Sequence, residues 1–133
     1  MQYIVNWLPN LTTMQKIGWV TLALISTTLP AQATELRCGW LHNPTPANWW
    51  LTDKDASWTI GSQGGYQAQG MENIPEGLSA EQFVRTNGYY GYGCACLEVV
   101  TDSERQRIVR IEGGEALELS VCSTDPDLPA VRR

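Results

Sequence analysis

The stretch Tyr92-Gly93-Cys94-Ala95-Cys96-Leu97-Glu98-Val99-Val100 decides the fold. Its alternating composition, with β-branched and small residues, reads as a strand. Side chains alternate at period two, so Cys94 and Cys96 share one face, opposite the aliphatic stripe of Leu97 and Val99. A bond between the two would have to bridge about 6.5 Å or more of extended chain, at the edge of disulfide geometry. Each is therefore expected to bond outward, one to Cys38 and the other to Cys122, with the pairing open. A single C-x-C with two distant partners lacks the paired knuckles of a zinc site. Two disulfides, in turn, predict an oxidising compartment.

Toward the C-terminus, Thr101 to Gln106 reads as a polar turn. Val109 and Ile111 alternate with Ile108, Arg110 and Glu112. Gly113-Gly114 reads as a further turn, and Leu117, Leu119 and Val121 alternate with Glu118, Ser120 and Cys122 as a last strand. This is the pattern of a half-buried antiparallel sheet. The tail from Asp125 to Arg133 holds two prolines and is expected to fray.

Toward the N-terminus, Leu36 to Leu41 predicts a first strand, and Asn43-Pro44-Thr45-Pro46 a stiff loop, because proline lacks a donor and biases its predecessor to extended geometry. Trp49 to Thr52 and Ser57 to Ile60 read as two strands around the turn Asp53-Lys54-Asp55-Ala56. Gly61 to Gly70 reads as irregular. Leu78-Ser79-Ala80-Glu81-Gln82-Phe83 carries a helix start: Ser79 as N-cap, Gln82 completing a capping box, Leu78 and Phe83 as the staple. Asn87-Gly88 would end that helix. The expected fold is mainly β (α+β): a small antiparallel sheet with one short helix and two disulfides.

The chain has 133 residues and a formal net charge of −5, too acidic and too short of basic clusters for nucleic acid or an anionic membrane surface. Lys16 precedes the apolar run Ile17 to Ile25, and Ala31-Gln32-Ala33 follows Pro30. That is the layout of a secretory signal peptide, expected over residues 1–33 with cleavage after Ala33. The run is too short to cross a bilayer, which needs about 20 residues. Export to the periplasm or beyond, with no membrane insertion after cleavage, is therefore expected of a single domain over 34–133. Met1 to Thr13 carries no positive charge, so synthesis is expected to begin at Met14. A precursor peptide covering Gln2 to Thr13 would overturn that. Arg37 before Cys38 argues against lipidation there.

The strings Cys38-Gly39-Trp40-Leu41-His42-Asn43-Pro44-Thr45-Pro46-Ala47-Asn48-Trp49-Trp50-Leu51, Ser57-Trp58-Thr59-Ile60 and Gly88-Tyr89-Tyr90-Gly91-Tyr92-Gly93-Cys94-Ala95-Cys96 resemble a bacterial exported family, domain of unknown function 4087. The resemblance runs from about Cys38 to Cys122. It implies a small exported single-domain protein and carries no activity, ligand or catalytic residue with it. Ala56 stands where such a turn often has Gly.

The aromatic residues Trp40, Trp49, Trp50, Trp58, Tyr66, Tyr89, Tyr90 and Tyr92 serve either as core or as a stacking platform. Trp49 and Trp50, adjacent on a strand, must face opposite sides, so one is expected in the core and the other outside it. Asp53 and Asp55 miss the calcium-loop pattern and read as turn corners. The only histidine, His42, has no evident catalytic companion, and no G-x-S-x-G elbow is present. The residues put forward for ligand contact are Trp49, Trp50, Tyr89, Tyr90, Asp53 and His42, with no catalytic residue, metal or cofactor. The expected function is a non-enzymatic interaction protein of the cell envelope, such as an inhibitor of a hydrolase. Its partner would be an envelope or secreted protein. The alternatives are a carbohydrate or peptidoglycan-fragment binder and, last, a small hydrolase using Asp53 or His42.

Overall fold

Residues 23–27, 32–76 and 82–131 are described by a computed structural model of the chain. The chain divides into two compact units, Met1–Pro30 and Ala31–Arg133. Of the first, only 23–27 are described, and they carry no regular structure. The signal segment expected over 1–33 and the start at Met14 fall almost wholly outside the described residues, as do Leu78 and Ser79 of the expected helix cap.

The second unit contains β1 (Glu35–Thr45), β2 (Asn48–Thr52), β3 (Ser57–Gly61), a 3-10 turn (Met71–Asn73), β4 (Phe83–Asn87), β5 (Tyr90–Asp102), β6 (Arg107–Leu117) and α1 (Leu119–Ser123). The strand centred on Cys94 and Cys96 is the hub. One edge of β5 pairs with β1, and the other pairs first with β4 and then with β6. β1 also pairs with β2, β2 with β3, and β3 meets β6 in a single parallel bridge, Thr59 to Arg107. Five strands thus close a ring, β1-β2-β3-β6-β5-β1, with β4 appended. All pairs except the closing bridge are antiparallel.

Period two sorts the side chains onto two faces. Leu41, Leu51, Trp58, Ile60, Ala95, Leu97, Val99, Ile108 and Ile111 form one buried aliphatic cluster. Removing a Leu or Ile side chain from water contributes roughly 1.5–3 kcal/mol, which makes this cluster the main stabilising element. Trp40, Tyr92, Cys94 and Cys122 form a second cluster on the opposite, outer face. The disulfides are Cys38–Cys96 and Cys94–Cys122. Cys38 and Cys96 are direct cross-strand partners, 4.0 Å apart at Cα, so this bond staples neighbours within the sheet rather than linking the sheet to a separate layer.

Five expectations are corrected. Residues 83–87 are strand β4, not helix. Asn87-Gly88 opens the two-residue hairpin loop to β5, with Gly88 at φ 58°, rather than capping a helix. Gly113-Gly114 is no turn: β6 continues through it with an extra residue, Glu112, between the Glu98–Gly113 and Val99–Ile111 pairs. Gly114 is small because a Cβ there would meet Leu97 Cδ2 at 2.7 Å. Residues 119–123 form the short helix instead of a strand. The cause is topological: Leu117 pairs with Cys94, and from Gly93 onward β4 occupies that edge of β5, so the chain must leave the sheet. Gln82, read as a capping residue of the wrong helix, accepts the Leu119 N–H at 2.7 Å through its Oε1. Finally, the tail is not frayed where described, since Leu128 and Val131 pack on the outer cluster.

The proline segment is part strand. β1 runs through Pro44 to Thr45, and Pro44 falls in the register shift between His42 and Thr45, where no ladder donor is needed. Beyond it Asn43 Nδ2 donates to the carbonyls of Thr45 (3.0 Å) and Asn48 (2.8 Å), tying off the hairpin.

Candidate functional site

The outer face is a grid of registered positions. One row crosses five strands: Val84 (β4), Tyr92 (β5), His42 (β1), Trp50 (β2), Thr59 (β3), with Arg107 (β6) beyond. The row beside it is Leu117, Cys94, Trp40, Thr52, Ser57. Cross-strand neighbours stand close enough for rings to stack. His42 lies parallel to Trp50, with centroids 5.0 Å apart and planes at 18°, and meets Tyr92 at 5.6 Å. Trp40 meets Tyr92 edge-on at 5.5 Å.

These four rings floor a cleft of about 440 Å³. Pro44, Thr52, Thr86 and Gly91 complete its sides, and Pro129, Ala130 and Val131 of the tail form one wall. The tail stays there because Cys94–Cys122 anchors α1 to the floor and Leu128 and Val131 pack beneath it. On the other side of Trp50 lies a second depression of about 320 Å³, bounded by Asn48, Trp49, Ser57, Thr59, Gly61 and Ser62. Trp50 belongs to both. Burial lowers the His42 pKa to about 4, so at neutral pH the imidazole is uncharged.

The residues put forward from sequence separate into three places. His42 and Trp50 meet in the cleft. Trp49 turns to the other face and packs against the aliphatic cluster, as the alternation of the pair requires, while still bounding the second depression. Asp53 lies outside the cleft. Its Oδ1 accepts the N–H groups of Asp55 and Ala56 (2.9 Å each), closing the expected turn, and its Oδ2 accepts from Arg37 Nη1 at 2.7 Å. Arg37 also pairs with Glu35 (3.0 Å) and Asp55 (3.1 Å) and lies 4.0 Å over the Trp58 ring. Burial raises the Asp53 pKa, but Arg37 and the two backbone donors outweigh it, so the net shift is downward. Asp53 is thus tied into an ion network with Arg37, Glu35 and Asp55. Tyr89 stands 83 % exposed at the β4–β5 hairpin tip, with the Arg85 guanidinium 5.1 Å from its ring centre. Tyr90 is half-buried at the start of β5 and does not line the cleft.

Trp40 and Tyr92, weighed from sequence only as members of a broad aromatic set, and the tail are not among the residues put forward for contact. Trp40 and Tyr92 were findable: they sit two residues from His42 and Cys94, on the same face at period two. The tail wall has no such signal.

Among the described residues no cluster of three or more His, Cys, Asp or Glu is placed to hold a metal ion. Among them, too, no helix is long and apolar enough to cross a membrane. The two disulfides suit an oxidising, extracellular-type environment. Over residues 32–129 the chain matches the family described as a protein of unknown function (DUF4087), and it belongs to that family. No curated protein and no solved structure matches it.

Proposed function

We propose that this DUF4087 member is a non-enzymatic interaction protein of the cell envelope, exported to the periplasm or beyond by a signal peptide over residues 1–33, with the outer-face cleft as its working surface. The observation that carries the reading is the ring row Trp50–His42–Tyr92, pre-stacked across three strands. Trp and Tyr dominate binding hot spots because they offer large area for few rotors. Two of those strands are joined by Cys38–Cys96, so the surface loses little conformational entropy on docking. His42 contributes as a neutral ring held between aromatics, which suits contact rather than proton transfer. The test is capture from envelope extract and culture medium with the oxidised protein, beside a folded Trp50→Ala variant. The expected result is a component retained by the first and lost by the second. An identical captured set would overturn the reading.

A second reading, inhibition of a hydrolase, is favoured by the two adjacent hairpin tips. Asn87 Nδ2 donates to the Pro44 carbonyl at 3.4 Å, so the β1–β2 and β4–β5 tips are joined beside exposed Tyr89. An inhibitor of this kind should block its hydrolase at stoichiometric dose and weaken in Tyr89→Ala but not in Trp50→Ala. The opposite pattern would return the function to the cleft.

A further inference from the structure

We propose that the two depressions flanking Trp50 are adjacent subsites for a neutral oligosaccharide, which crosses the Trp50 ridge with one sugar ring on either side. The inference rests on reading the outer-face cleft as the working surface, and it specifies what that surface holds.

Three observations select this chemistry. The first is continuity. Trp50 lines both the cleft of about 440 Å³ and the depression of about 320 Å³, so the two share a wall rather than lying apart. Each falls in the usual range of ligand pockets, roughly 300–1,000 Å³.

The second is charge. The chain carries net charge −5, yet every described residue lining either depression is uncharged at neutral pH, His42 included. The charged groups collect elsewhere, as in the Glu35–Arg37–Asp53–Asp55 network. Among the described residues the cation in register with this row, Arg107, stands one strand beyond Thr59 and lines neither depression. The charge of an anionic glycan or a charged peptide would be desolvated without a partner in the lining, which opposes binding.

The third is the division of polarity. The cleft floor is four rings, while the far depression presents Asn48, Ser57, Thr59 and Ser62 around Trp49 and Trp50. A pyranose matches both halves, having an apolar C–H face and a rim of hydroxyls. The Ser57 hydroxyl and the Asn48 amide already have partners within the protein, but a purely apolar occupant would bury the Thr59 and Ser62 hydroxyls without any. Trp50 is also held in place for stacking. His42 lies parallel to it at 5.0 Å, and the neighbouring Thr52 and Ser57 hydroxyls are hydrogen bonded at 2.8 Å.

The experiment titrates the oxidised full chain with cellohexaose and chitohexaose, with polygalacturonate as an anionic glycan and with a neutral proline-rich peptide. Tryptophan fluorescence and the Trp50 indole N–H resonance are the readouts. At least one neutral hexasaccharide should saturate both signals. Trp50→Ala should weaken binding about tenfold or more. Thr59→Val, which leaves the ring-floored cleft intact, should weaken it about threefold to tenfold. It is the safeguard should Trp50→Ala fold poorly. Binding unchanged in Thr59→Val would overturn the two-subsite arrangement, and tighter binding of polygalacturonate would overturn neutrality. If the peptide alone binds, and Trp50→Ala abolishes that, the glycan proposal falls while the cleft survives as the working surface. If no probe binds and envelope capture ignores Trp50→Ala, both fall together.

Discussion

The two faces of the sheet bury side chains by different means. The inner face closes on itself: Leu41, Leu51, Ile60, Leu97, Val99, Ile108 and Ile111 are almost wholly enclosed by the ring of strands. Among the described residues the outer face has no opposing sheet. Its cover is a five-residue helix and a short tail, too small to hold themselves in place by burial alone. There the chain uses a covalent bond, Cys94–Cys122, and a disulfide to the neighbouring strand, Cys38–Cys96. The one-sided cover thus depends on a bond of its own, Cys94–Cys122, whereas Cys38–Cys96 only staples two strands that the ring already pairs, and the incomplete cover leaves the aromatic cleft open.

The most disruptive way to break the comparison is to reduce both disulfides. With sequence separations of 58 and 28, their loss removes about 4 and about 3.5 kcal/mol respectively in the chain-entropy model. A domain of this size has roughly 5–15 kcal/mol in total. Dithiothreitol should therefore lower Tm sharply or unfold the chain, and an unchanged melt with verified free thiols would remove the argument. Cys94→Ala with Cys122→Ala sharpens it: the outer cover should loosen and the cleft lose its tail wall, while amides of the inner cluster keep their hydrogen-exchange protection.

The next effect is on the inner face. Leu97 is fully buried, and Leu97→Ala should cost about 2–5 kcal/mol, because the ring cannot collapse around the cavity. Denaturant unfolding measures it. A cost no larger than that of an exposed substitution would mean that the ring is not the stabilising core.

The inner face was also the legible one. Alternation places Leu97, Val99 and Ile111 from periodicity, and the shared face of Cys94 and Cys96 follows from the same rule. Ile108, read on the face opposite Ile111, joins it in the core because the ladder shifts register between Val100–Arg110 and Thr101–Ile108, leaving Val109 half-buried. What periodicity could not convey was competition for an edge. Residues 117–122 alternate well, yet the chain leaves the sheet after Leu117 because β4 already occupies that edge of β5. Phe83 to Asn87 became strand by the same long-range pairing, and the local capping pattern around Gln82 lost to it. In the site, His42 and Trp50 were named from residue type, and Asp53 was read correctly as a turn corner. The tail wall at Pro129 to Val131 depends on where Cys122 is anchored, which no local pattern encodes.

A smaller effect is expected from that wall. Leu128→Ala with Val131→Ala removes two half-buried contacts and should cost about 2 kcal/mol or less. The test is tryptophan fluorescence: emission should shift to the red as water reaches Trp40. If emission and Tm both stay unchanged, the tail does not cover the floor.

The smallest predicted effect separates the faces by pH. Burial lowers the His42 pKa from 6.5 to about 4, so the unfolded chain binds a proton at a pH where the folded chain refuses it. The contribution of this group to stability is therefore flat above about pH 7, falls as pH drops from 6.5 toward 4, and levels off below. Among the described residues no charged side chain lines the cleft to compensate, since its others are Trp40, Tyr92, Trp50 and uncharged neighbours. After discounting for the partial exposure of the ring, the loss is about 1 kcal/mol. The inner-face carboxylates act in a different window. The Thr101 hydroxyl, against opposing burial, and the Arg37 guanidinium hold Glu35 below its ordinary value of 4.5. Asp53 is likewise held below 3.8 despite its burial. Stability carried by these two is present above their ordinary values and is lost only as pH falls through the lowered ones. An acid titration of folding free energy should thus show two phases, the upper from the outer face and the lower from the Arg37 network. His42→Gln should erase the upper phase and leave the lower. If that variant still lost stability between pH 6.5 and 4, the burial of His42 in the aromatic row would not be what sets the upper phase.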